Sequence, residues 1–527
     1  MTEIKTLQPD EAIELLKKGR TEWNLWVRMN PEHNISFEGV NFPTFIKPVW
    51  KSNPTQVIKE INFQEYEFPK GDILFTRANF GDYNVSFSGA KFRAGQVSFE
   101  YSIFNGPQIN FTGTRFGDSH VIFSGAQFGG RNVSFNDAQF GEGNIIFSRV
   151  SIKKGNLSFD DAEFNKSKLS FGAARLGEAD ITFINATFEK ATINFWGAKS
   201  EKGNTLFPHA KFKQSPALFD EMEFGDGIVS FVDAEFEDET IRFQRTKFGK
   251  GGVSFVGAKF GKGEISFAGA KFGEGDLAFE EAKFGESKID FIGAEFRGRV
   301  IFSDLLSSEK IKQFSFRGAS FNKSLELNGN RFSCIPDLTN TKINNQIVLR
   351  DSEWEFSYET LKDPQASSKI NRLKELAEAN KDHSSALMFH AHEMRCKRKH
   401  SNKNGAWLID FLFDKFSNYG QSVATPSWWL FWTYYLSTLI YFKQVHSENS
   451  LTEYASFLAC ALFSASQVFS FLPSTKSVQN RAIQLFTDGS KDAVIPDSIQ
   501  ALAITQNFIS VILIFLIILA LRNRFRI

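Results

Sequence analysis

Cysteine and net charge are both scarce in this sequence, and each shortage argues against a class of function. The 527 residues contain three cysteines, Cys334, Cys396 and Cys460, which lie far apart. This spacing is typical of neither a disulfide framework nor a paired CxxC metal site, so we expect a reducing compartment. The formal net charge is +1, which provides no strong field to attract nucleic acid.

Recognisable catalytic motifs are also missing. The sequence has no GxSxG, Walker A or HExxH pattern, and its eight histidines are scattered. His392, Cys396 and His400 stand at helical spacing, as metal ligands can, but Lys397 and Lys399 crowd them with positive charge and no fourth ligand is evident. We therefore predict a protein that is not an enzyme and that binds no metal and no cofactor.

The N-terminal residues lack the apolar segment of a secretory signal. In "MTEIKTLQPDEAIELLKKG" charged residues interrupt every apolar run. We expect this part of the chain to stay in the cytoplasm. The length exceeds that of one ordinary globular domain, so two or more units are expected.

Phenylalanine is the residue in excess, with 60 copies. Phe stands at every twelfth position from 75 to 291, and five residues later comes a second Phe, except at Ile152, Leu176 and Ser200. Ala is the commonest residue three positions after the first Phe. The unit reads [VIL]-x-F-x-x-A-x-F-G-x-G-x, and such a fixed period indicates a repeat architecture.

The pattern within each unit predicts short strands joined by turns. Inward and outward residues alternate around each Phe, and the GxG between units is a turn signal. In a solenoid every residue lies above its counterpart in the coil below, which explains the strict repetition. The register slips by one residue at Phe302, and the pattern then weakens toward Phe332.

Paired blocks such as "VSFVG" and "AKFGK" (residues 253–262) resemble the pentapeptide-repeat family. That resemblance implies an all-β, right-handed, four-sided β-helix. The departure is an extra dipeptide after each pair of blocks, from which we infer 24 residues per coil. From Ile35 to Phe332 we expect roughly 12 coils, or a rod of about 60 Å at about 4.8 Å per coil.

Both ends of the repeats are predicted to be helical. "LLKKGRTEWNLWVR" (15–28) is similar to a segment that precedes the first coil in some bacterial pentapeptide-repeat proteins. We predict that Trp23 and Trp26 cover the first Phe layer. After the repeats, 367–400 has the spacing of two antiparallel helices that meet near residues 380–382.

Three apolar segments follow near the C-terminus. The segments 426–444 and 501–521 are predicted membrane spans, the first with aromatic residues at its start. Between them, 454–473 is less apolar and rich in serine, and we interpret it as a re-entrant or pore-type helix. The predicted domains are a helical cap (1–30), a β-helix (31–345), a helical linker with a basic juxtamembrane segment (346–420) and a membrane domain (421–527).

Basic residues flank the predicted spans on both sides. The positive-inside rule therefore places both termini and the β-helix in the cytoplasm, with an even number of crossings. The juxtamembrane basic residues are Arg395, Lys397, Arg398, Lys399, Arg522, Arg524 and Arg526.

Polar residues recur at membrane depth in the last two apolar segments. Such residues face either a partner helix or a water path, so two interpretations stay open: helix–helix hydrogen bonds in an oligomer, and the lining of a pore. The candidates are Ser464, Ser466, Gln467, Ser470, Thr505, Gln506, Asn507 and Ser510.

The approach to the first span, "FSNYGQSVATPSWW", and the ending "LALRNRFRI" are similar to bacterial pentapeptide-repeat membrane proteins with a potassium-channel-like, two-span module. The resemblance covers about 110 residues. It implies the bacterial plasma membrane and a homo-oligomer formed through the membrane domain. No TVGYG or GYGD filter is present, and "SASQVFSFLP" stands in its place, so potassium selectivity is not implied.

Three hypotheses follow. The first is a channel-like membrane protein whose cytoplasmic β-helix senses or binds a protein partner. The second is a passive scaffold anchored in the lipid bilayer. The third is a DNA mimic that binds a topoisomerase, although acidic and basic residues nearly balance along the repeats and a mimic needs an acidic face.

Overall fold

The computed structural model describes residues 5–45, 49–50, 57–129, 132–400, 405–446, 453–486 and 496–525. Contacts between residues divide the chain into two compact units, Met1–Thr360 and Leu361–Ile527. We call them the solenoid unit and the helical unit. The finer division into four domains stays a prediction.

The solenoid unit is a parallel β-solenoid of about 14 turns with about 24 residues per coil. Asn144, for example, pairs in parallel with Lys168, and Ile145 pairs with Leu169. The expectation of 12 coils was too low, because strand pairing begins at Thr6–Leu7 and continues to Glu353–Trp354, beyond the predicted boundary at 345. The predicted slip is present: Leu277 pairs with Val300 rather than with residue 301.

The strands are two to eight residues long and form columns along the solenoid. The two largest sheets have 13 and 17 strands, followed by sheets of eight and four strands. In chain order, the 13-stranded sheet runs from Thr6–Leu7 to Gln313–Ser315, and the 17-stranded sheet runs from Glu60–Asn62 to Ile347–Val348. The eight-stranded sheet runs from Arg115–Gly117 to Lys283–Phe284, and the four-stranded sheet runs from Lys271–Phe272 to Lys342–Ile343. Two strand pairs complete the unit: Arg331–Phe332 pairs with Glu353–Trp354, and Val49–Trp50 pairs antiparallel with Val57–Ile58.

The repeated phenylalanines form stacked columns in the core. The rings of Phe87 and Phe111, one coil apart, lie 4.9 Å apart between centroids and within 1° of parallel. Phe75 and Phe87, half a coil apart, meet edge to face at 5.6 Å. Offset-stacked and edge-to-face rings are both favourable geometries, so the 12-residue period supplies two kinds of ring contact, and the 24-residue coil is confirmed.

Hydroxyl residues replace Ala at some of its repeat positions, and each of these hydroxyls is satisfied within the core. Ser102 Oγ donates to the Phe75 carbonyl at 2.6 Å, and Thr246 Oγ1 donates to the Phe219 carbonyl at 2.7 Å. Both acceptors lie one coil back. A buried hydroxyl is tolerated only where it is hydrogen-bonded, so these exceptions to the repeat add bonds between coils.

The three exceptions to the second Phe lie directly above one another. Ile152, Leu176 and Ser200 are 24 residues apart and buried. Phe104 stacks on Phe128 below them, and Phe224 stacks on Phe248 above them. One column of rings is therefore interrupted for three consecutive coils, at the place where the strands Lys154–Ser158 and Arg175–Thr182 are the longest of the solenoid.

Aromatic residues close both ends of the Phe columns. Trp23 is fully buried, stacks on Phe37 at 6.1 Å and donates from Nε1 to the Glu67 carbonyl at 2.8 Å. Trp26 is instead half-buried against His33, so the expectation that it covers the first Phe layer was wrong. At the far end Trp354 stacks on Phe332 at 4.9 Å.

Eleven α-helices and one 3-10 helix, Ser308–Lys310, are found in the described residues. The predicted N-terminal helical cap consists of two helices separated by Gly19, whose φ is +90°, and the predicted antiparallel pair in 367–400 is confirmed. The helices are α1 (Pro9–Lys17), α2 (Arg20–Met29), α3 (Phe42–Phe45), α4 (Tyr358–Lys362), α5 (Ala366–Ala379), α6 (His383–His400), α7 (Gly405–Ser417), α8 (Ala424–His446), α9 (Glu453–Val468), α10 (Thr475–Phe486) and α11 (Asp497–Phe525).

Candidate functional site

The candidate site lies in the helical unit, where α8, α9 and α11 pack against one another. The sequence dictates this packing through α11, whose buried residues recur at spacings of three and four and so form one face of the helix. The opposite face is apolar and exposed. The buried face of α11 consists of Ile499, Ala503, Gln506, Ser510, Leu513, Leu516 and Ala520.

Gln506 is the centre of a buried hydrogen-bond network that joins all three helices. Its Oε1 accepts from the Tyr441 hydroxyl of α8 at 2.9 Å. Its Nε2 donates to Ser464 of α9, at 2.8 Å to Oγ and 3.1 Å to the carbonyl. Ser464 Oγ in turn donates to the Tyr434 carbonyl of α8 at 3.0 Å. Every polar atom of the Gln506 amide thus has a partner within the same chain.

The α9 candidates Ser466, Gln467 and Ser470 lie outside this network. Ser466 Oγ donates to the carbonyl of Phe463 at 2.7 Å, and Gln467 is buried beside it. Ser470 is half-buried in the turn after α9.

The remaining α11 candidates have three different environments. Thr505 is exposed, and its hydroxyl donates to the carbonyl of Ala501 at 2.9 Å. Asn507 is half-buried. The hydroxyl of Ser510 is fully buried, with no hydrogen-bond partner among the described residues. The structure thus brings Ser464 and Gln506 together across helices, and it leaves the other candidates outside that network.

One helix of the described chain, α11, is long and apolar enough to cross a membrane by length and composition. It contains the predicted span 501–521. The other predicted span, 426–444, is confirmed as a helix but does not meet the same criterion. Its tryptophan and tyrosine residues, among them Trp428, Trp432 and Tyr435, carry polar atoms and lower the mean hydropathy of the helix.

A turn of left-handed residues connects α7 to α8. Asn418, Tyr419 and Gly420 have φ of 49°, 54° and 76°. The Asn523 amide near the end of α11 donates to the Gly420 carbonyl at 2.9 Å. A Cβ at Gly420 would lie 3.1 Å from Leu519 Cδ2, so glycine serves both the backbone conformation and the close approach. The two segments quoted for the channel-like resemblance therefore touch each other.

Two of the predicted juxtamembrane arginines are used to hold α7 against α6. Arg395 Nη2 donates to Asp414 Oδ1 at 2.8 Å, and Arg398 Nη2 donates to Asp414 Oδ2 at 2.6 Å. Arg398 also reaches Asp410, whose carboxylate accepts from the Tyr419 hydroxyl at 2.9 Å. The arginines are mostly buried, so they contribute to the fold and do not form a free basic patch.

The charges in this cluster stabilise one another. Burial acts to raise the pKa of the Asp414 carboxyl, but the hydrogen bonds from Arg395 and Arg398 outweigh it and hold that pKa below its usual value. Burial, with the hydrogen bond to Asp410, raises the pKa of the Tyr419 hydroxyl. The Asp414 carboxylate is therefore ionised and the Tyr419 hydroxyl protonated throughout the neutral range.

The other basic candidates are divided between paired and exposed positions. Lys397 forms an ion pair with the buried carboxylate of Glu393 at 2.5 Å, and Lys399 is half-buried on the same helix. Arg522 and Arg524 are exposed in the last turn of α11. Arg526 lies outside the described residues.

Several residues of this site were not among the sequence candidates. Each of them contacts a residue that the sequence analysis did single out. The partner of Tyr441 is the candidate Gln506, and the partners of Asp410 and Asp414 are juxtamembrane arginines. Asn523 bonds to Gly420, and both lie in the segments that resemble channel-like proteins. An acidic residue within an otherwise apolar helix was the available signal for Asp410 and Asp414, because a charge there requires a partner. No comparable signal indicates Tyr441, since tyrosine is common at membrane interfaces.

Within the described residues no group of three or more His, Cys, Asp or Glu side chains could hold a metal ion. Burial and the nearby Arg395 lower the pKa of His392 to about 4, so this imidazole is neutral at physiological pH. Compared with protein-family models, curated proteins and solved structures, the chain matches none of them.

Proposed function

We propose that this chain is a membrane-anchored, non-enzymatic repeat protein whose solenoid offers a surface to a protein partner. One observation carries the proposal: α11 buries Gln506 and Ser510 on a face that packs inward and exposes large apolar side chains on the opposite face. Phe508 and Phe515 are 69% and 63% exposed on that outer face. Large exposed apolar surfaces mark interaction with lipid or protein, and the 29-residue length of α11 exceeds the roughly 20 residues that a span needs.

The orientation belongs to the same proposal. We place both termini and the solenoid unit in the cytoplasm of a bacterium, with α8 crossing the plasma membrane beside α11. The pairing of Tyr441 with Gln506 supports this arrangement, because it gives the Tyr441 hydroxyl and the Gln506 side-chain carbonyl a partner at membrane depth. Exposed Trp428 and Trp429 at the start of α8 fit an interfacial belt.

The shape of the coil is inferred in the same way. The two blocks per half coil favour a four-sided β-helix of the pentapeptide-repeat type, and a right-handed coil is the preferred sense for parallel crossovers. Charges on its surface are paired between coils, for example Lys259 with Glu235 at 2.8 Å and Lys271 with Glu295 at 3.0 Å. This pairing favours a protein partner over the DNA-mimic hypothesis, which needs uncompensated acidic residues.

Membrane anchoring is tested by flotation of the full chain with vesicles, followed by alkaline extraction. We expect the wild type to remain with the vesicles. Phe508→Lys combined with Phe515→Lys is expected to release it, because each charge near the membrane centre costs about 2.5–3.5 kcal/mol. Trp196→Lys, at an exposed aromatic residue of the solenoid unit, is the matched control. Extraction of the wild type at alkaline pH contradicts the proposal.

Ion conduction by a homo-oligomer is a second candidate function. At 16 residues α9 extends about 24 Å, too short for a full crossing, and it ends in a turn between α8 and α11. Asn507 lies outside the Gln506 network, and the buried hydroxyl of Ser510 has no hydrogen-bond partner among the described residues. These residues are therefore the better candidates for a water path, and Gln506 is the better candidate for helix packing.

Flux through the purified full chain in liposomes separates the two functions. If the protein conducts, Asn507→Leu changes the flux without lowering thermal stability, whereas Gln506→Leu lowers stability. Thr505→Val, at an exposed position of the same helix, is the control for an effect of polarity alone. A wild type that passes no ions at any voltage, pH or salt concentration leaves the anchored scaffold as the function.

A further inference from the structure

The turn between α7 and α8 has a backbone conformation that its own residues do not favour. Asn418, Tyr419 and Gly420 adopt left-handed conformations in succession. In the part of the chain that the structure describes, no other two consecutive non-glycine residues do so. A left-handed backbone is uncommon for a bulky side chain and persists only where the surroundings hold it. The contacts of Tyr419 therefore decide whether the turn keeps this conformation.

Tyr419 is held by two helices at once. Its hydroxyl donates to Asp410 of α7 at 2.9 Å and accepts from Arg398 of α6 at 3.2 Å. Its ring meets Phe413 of α7 edge to face at 5.5 Å between centroids, and the Arg395 guanidinium lies 5.9 Å from the ring centroid. Only 5% of the Tyr419 surface is exposed. The residue therefore keeps these contacts only while α7 is packed on α6.

The residues on either side of Tyr419 bond to two different helices. The Asn418 side-chain carbonyl accepts from Arg395 of α6 at 2.5 Å, and the Gly420 carbonyl accepts from Asn523 of α11 at 2.9 Å. The peptide group between Tyr419 and Gly420 is planar and rigid, so a change of φ or ψ at Tyr419 redirects the chain that follows it. The Gly420 carbonyl is then turned away from α11.

We propose that this turn is a conformational latch, which couples the packing of α7 on α6 to the last turn of α11. In the latched state Asp410 and Arg398 hold Tyr419, and the Gly420 carbonyl holds Asn523. When α7 shifts on α6, Tyr419 loses these bonds and the turn relaxes to a conformation that its residues favour. The end of α11 is then released.

The position of the latch in the sequence indicates what it responds to. The helices α6 and α7 lie between the solenoid unit and α8 along the chain. A displacement of α6 or α7 therefore reaches α8 through this turn. The inference uses contacts within the helical unit only and does not require α11 to enter a membrane.

The experiment is hydrogen exchange of the full chain, measured at the amides of α7 and of the last two turns of α11. Tyr419→Phe removes the hydroxyl and keeps the ring. A hydrogen bond to a charged group shifts an opening equilibrium about tenfold, so we expect α7 to exchange about tenfold faster. Coupling between two sites typically changes an equilibrium about fivefold or more, and we expect about fivefold faster exchange at the end of α11.

A substitution on α11 tests the same coupling from the other side, because a coupling free energy is reciprocal. Asn523→Ala removes the bond to Gly420 and leaves the α6–α7 ion pairs in place. We expect about fivefold faster exchange in α7. The matched controls are Tyr435→Phe, at an exposed tyrosine of α8, and Asn507→Ala, on α11 outside the turn. Neither control is expected to change exchange in α7 or at the end of α11.

The pattern of exchange across the helices decides the outcome. Faster exchange in α7 and at the end of α11 in both variants, with α9 unchanged, supports the latch. If Tyr419→Phe affects only α7 and Asn523→Ala affects only α11, the two contacts are independent and the proposal is wrong. An equal increase in α9 shows a general loosening of the helical unit and also contradicts it. If Tyr419→Phe does not fold, exchange of α7 in Asn523→Ala decides alone.

Flotation with vesicles keeps this test separate from membrane anchoring. Both variants are expected to float as the wild type does, because the exposed apolar face of α11 is unaltered. A wild type that does not float contradicts membrane anchoring, and the exchange pattern still decides for or against the latch.

Discussion

The two units of this protein are stabilised by contacts of opposite character. In the solenoid unit one contact is repeated: Phe207, Phe231 and Phe255 stack at 4.9 Å in each step, and the next coil has the same arrangement. In the helical unit the decisive contacts occur once, as at Gln506 and Asn523. A contact that recurs in every coil leaves a periodic pattern in the sequence and can be predicted from it. A contact that occurs once depends on one residue and leaves no such pattern. The predictions below compare these two cases.

The largest effect is expected for Phe231→Ala in the middle of the solenoid. The substitution removes a fully buried ring that stacks on two others and meets Phe219 and Phe243 edge to face. A Phe→Ala cavity costs about 3–5 kcal/mol of unfolding free energy. Thermal unfolding of the full chain measures it, with Trp196→Ala, an exposed aromatic residue of the same unit, as the control. If the two variants are equally stable, the stacked Phe columns are not the source of the solenoid's stability.

The next largest effect is expected for Asp414→Asn in the helical unit. It leaves Arg395 and Arg398 without their shared carboxylate. We expect this to cost about 2–3 kcal/mol of unfolding free energy, less than the loss of one partner in a fully buried ion pair. Hydrogen exchange of the α7 amides in the full chain measures the detachment of α7 from α6. Glu378→Gln, an exposed carboxylate of α5, is expected to change nothing. Unaltered exchange in Asp414→Asn shows that the ion pairs do not hold α7.

The same carboxylate gives a pH dependence. Because the pKa of Asp414 is lowered in the folded state, its stabilisation is complete above the unfolded value of about 3.9 and is lost as pH falls through the folded value. We expect the protection of the α7 amides, relative to the unfolded chain at the same pH, to be constant from neutral pH down to about pH 4 and to decrease below it. In Asp414→Asn that acid step disappears. A step near neutral pH contradicts the assignment.

A smaller effect is expected for Gln506→Leu. The leucine leaves Tyr441 and Ser464 with unpaired polar atoms, which costs about 1–3 kcal/mol. Exchange of the α9 amides is the measurement, because α9 is joined to α11 by these bonds. Thr505→Val removes a hydroxyl that bonds only to its own helix, and we expect it to be nearly neutral. Comparable losses in both variants rule out a special role for Gln506.

The smallest effect is expected for Thr246→Ala, which restores the commonest residue of the repeat. It removes one hydrogen bond to the Phe219 carbonyl, at about 0.5–1.5 kcal/mol. Thermal unfolding of the full chain decides the sign, with Ala258→Ser as the reverse substitution at an equivalent position. If Thr246→Ala is more stable than the wild type, the packing of alanine at this position stabilises the solenoid more than the hydrogen bond of the hydroxyl does.

The repeat made the solenoid predictable from sequence. The 24-residue coil and the slip at Phe302 followed from a pattern in which the same contact recurs many times, whereas the cap at Trp23 was predicted from the resemblance of residues 15–28. Coils whose residues depart from the pattern were missed, as at Thr6–Leu7 and Trp354. Those end coils lie next to caps rather than next to two identical neighbours, so their sequences are free to differ.

The helical unit was predictable only as separate segments. Helical spacing indicated α5 and α6, and a long apolar run indicated α11. The partners of single residues were not predictable: Asn523 and Gly420 are 103 positions apart, and no period connects them. The same reason explains why Gln506 was grouped with pore candidates although it bonds to Tyr441 and Ser464 of its own chain.

The interrupted ring column at Ile152, Leu176 and Ser200 has a mechanical consequence. Ring stacking is missing from one column at these coils, although the backbone pairing of Lys154–Ser158 with Glu178–Thr182 is the longest of the solenoid, so the order of opening under tension shows whether ring stacking or strand pairing holds the coils together. We expect single-molecule pulling on the full chain to open the solenoid first at these three coils, and Ser200→Phe to raise the force of that first event. A first rupture at either end instead contradicts this expectation. The interruption thus gives an otherwise uniform rod a defined breaking point between two more resistant halves.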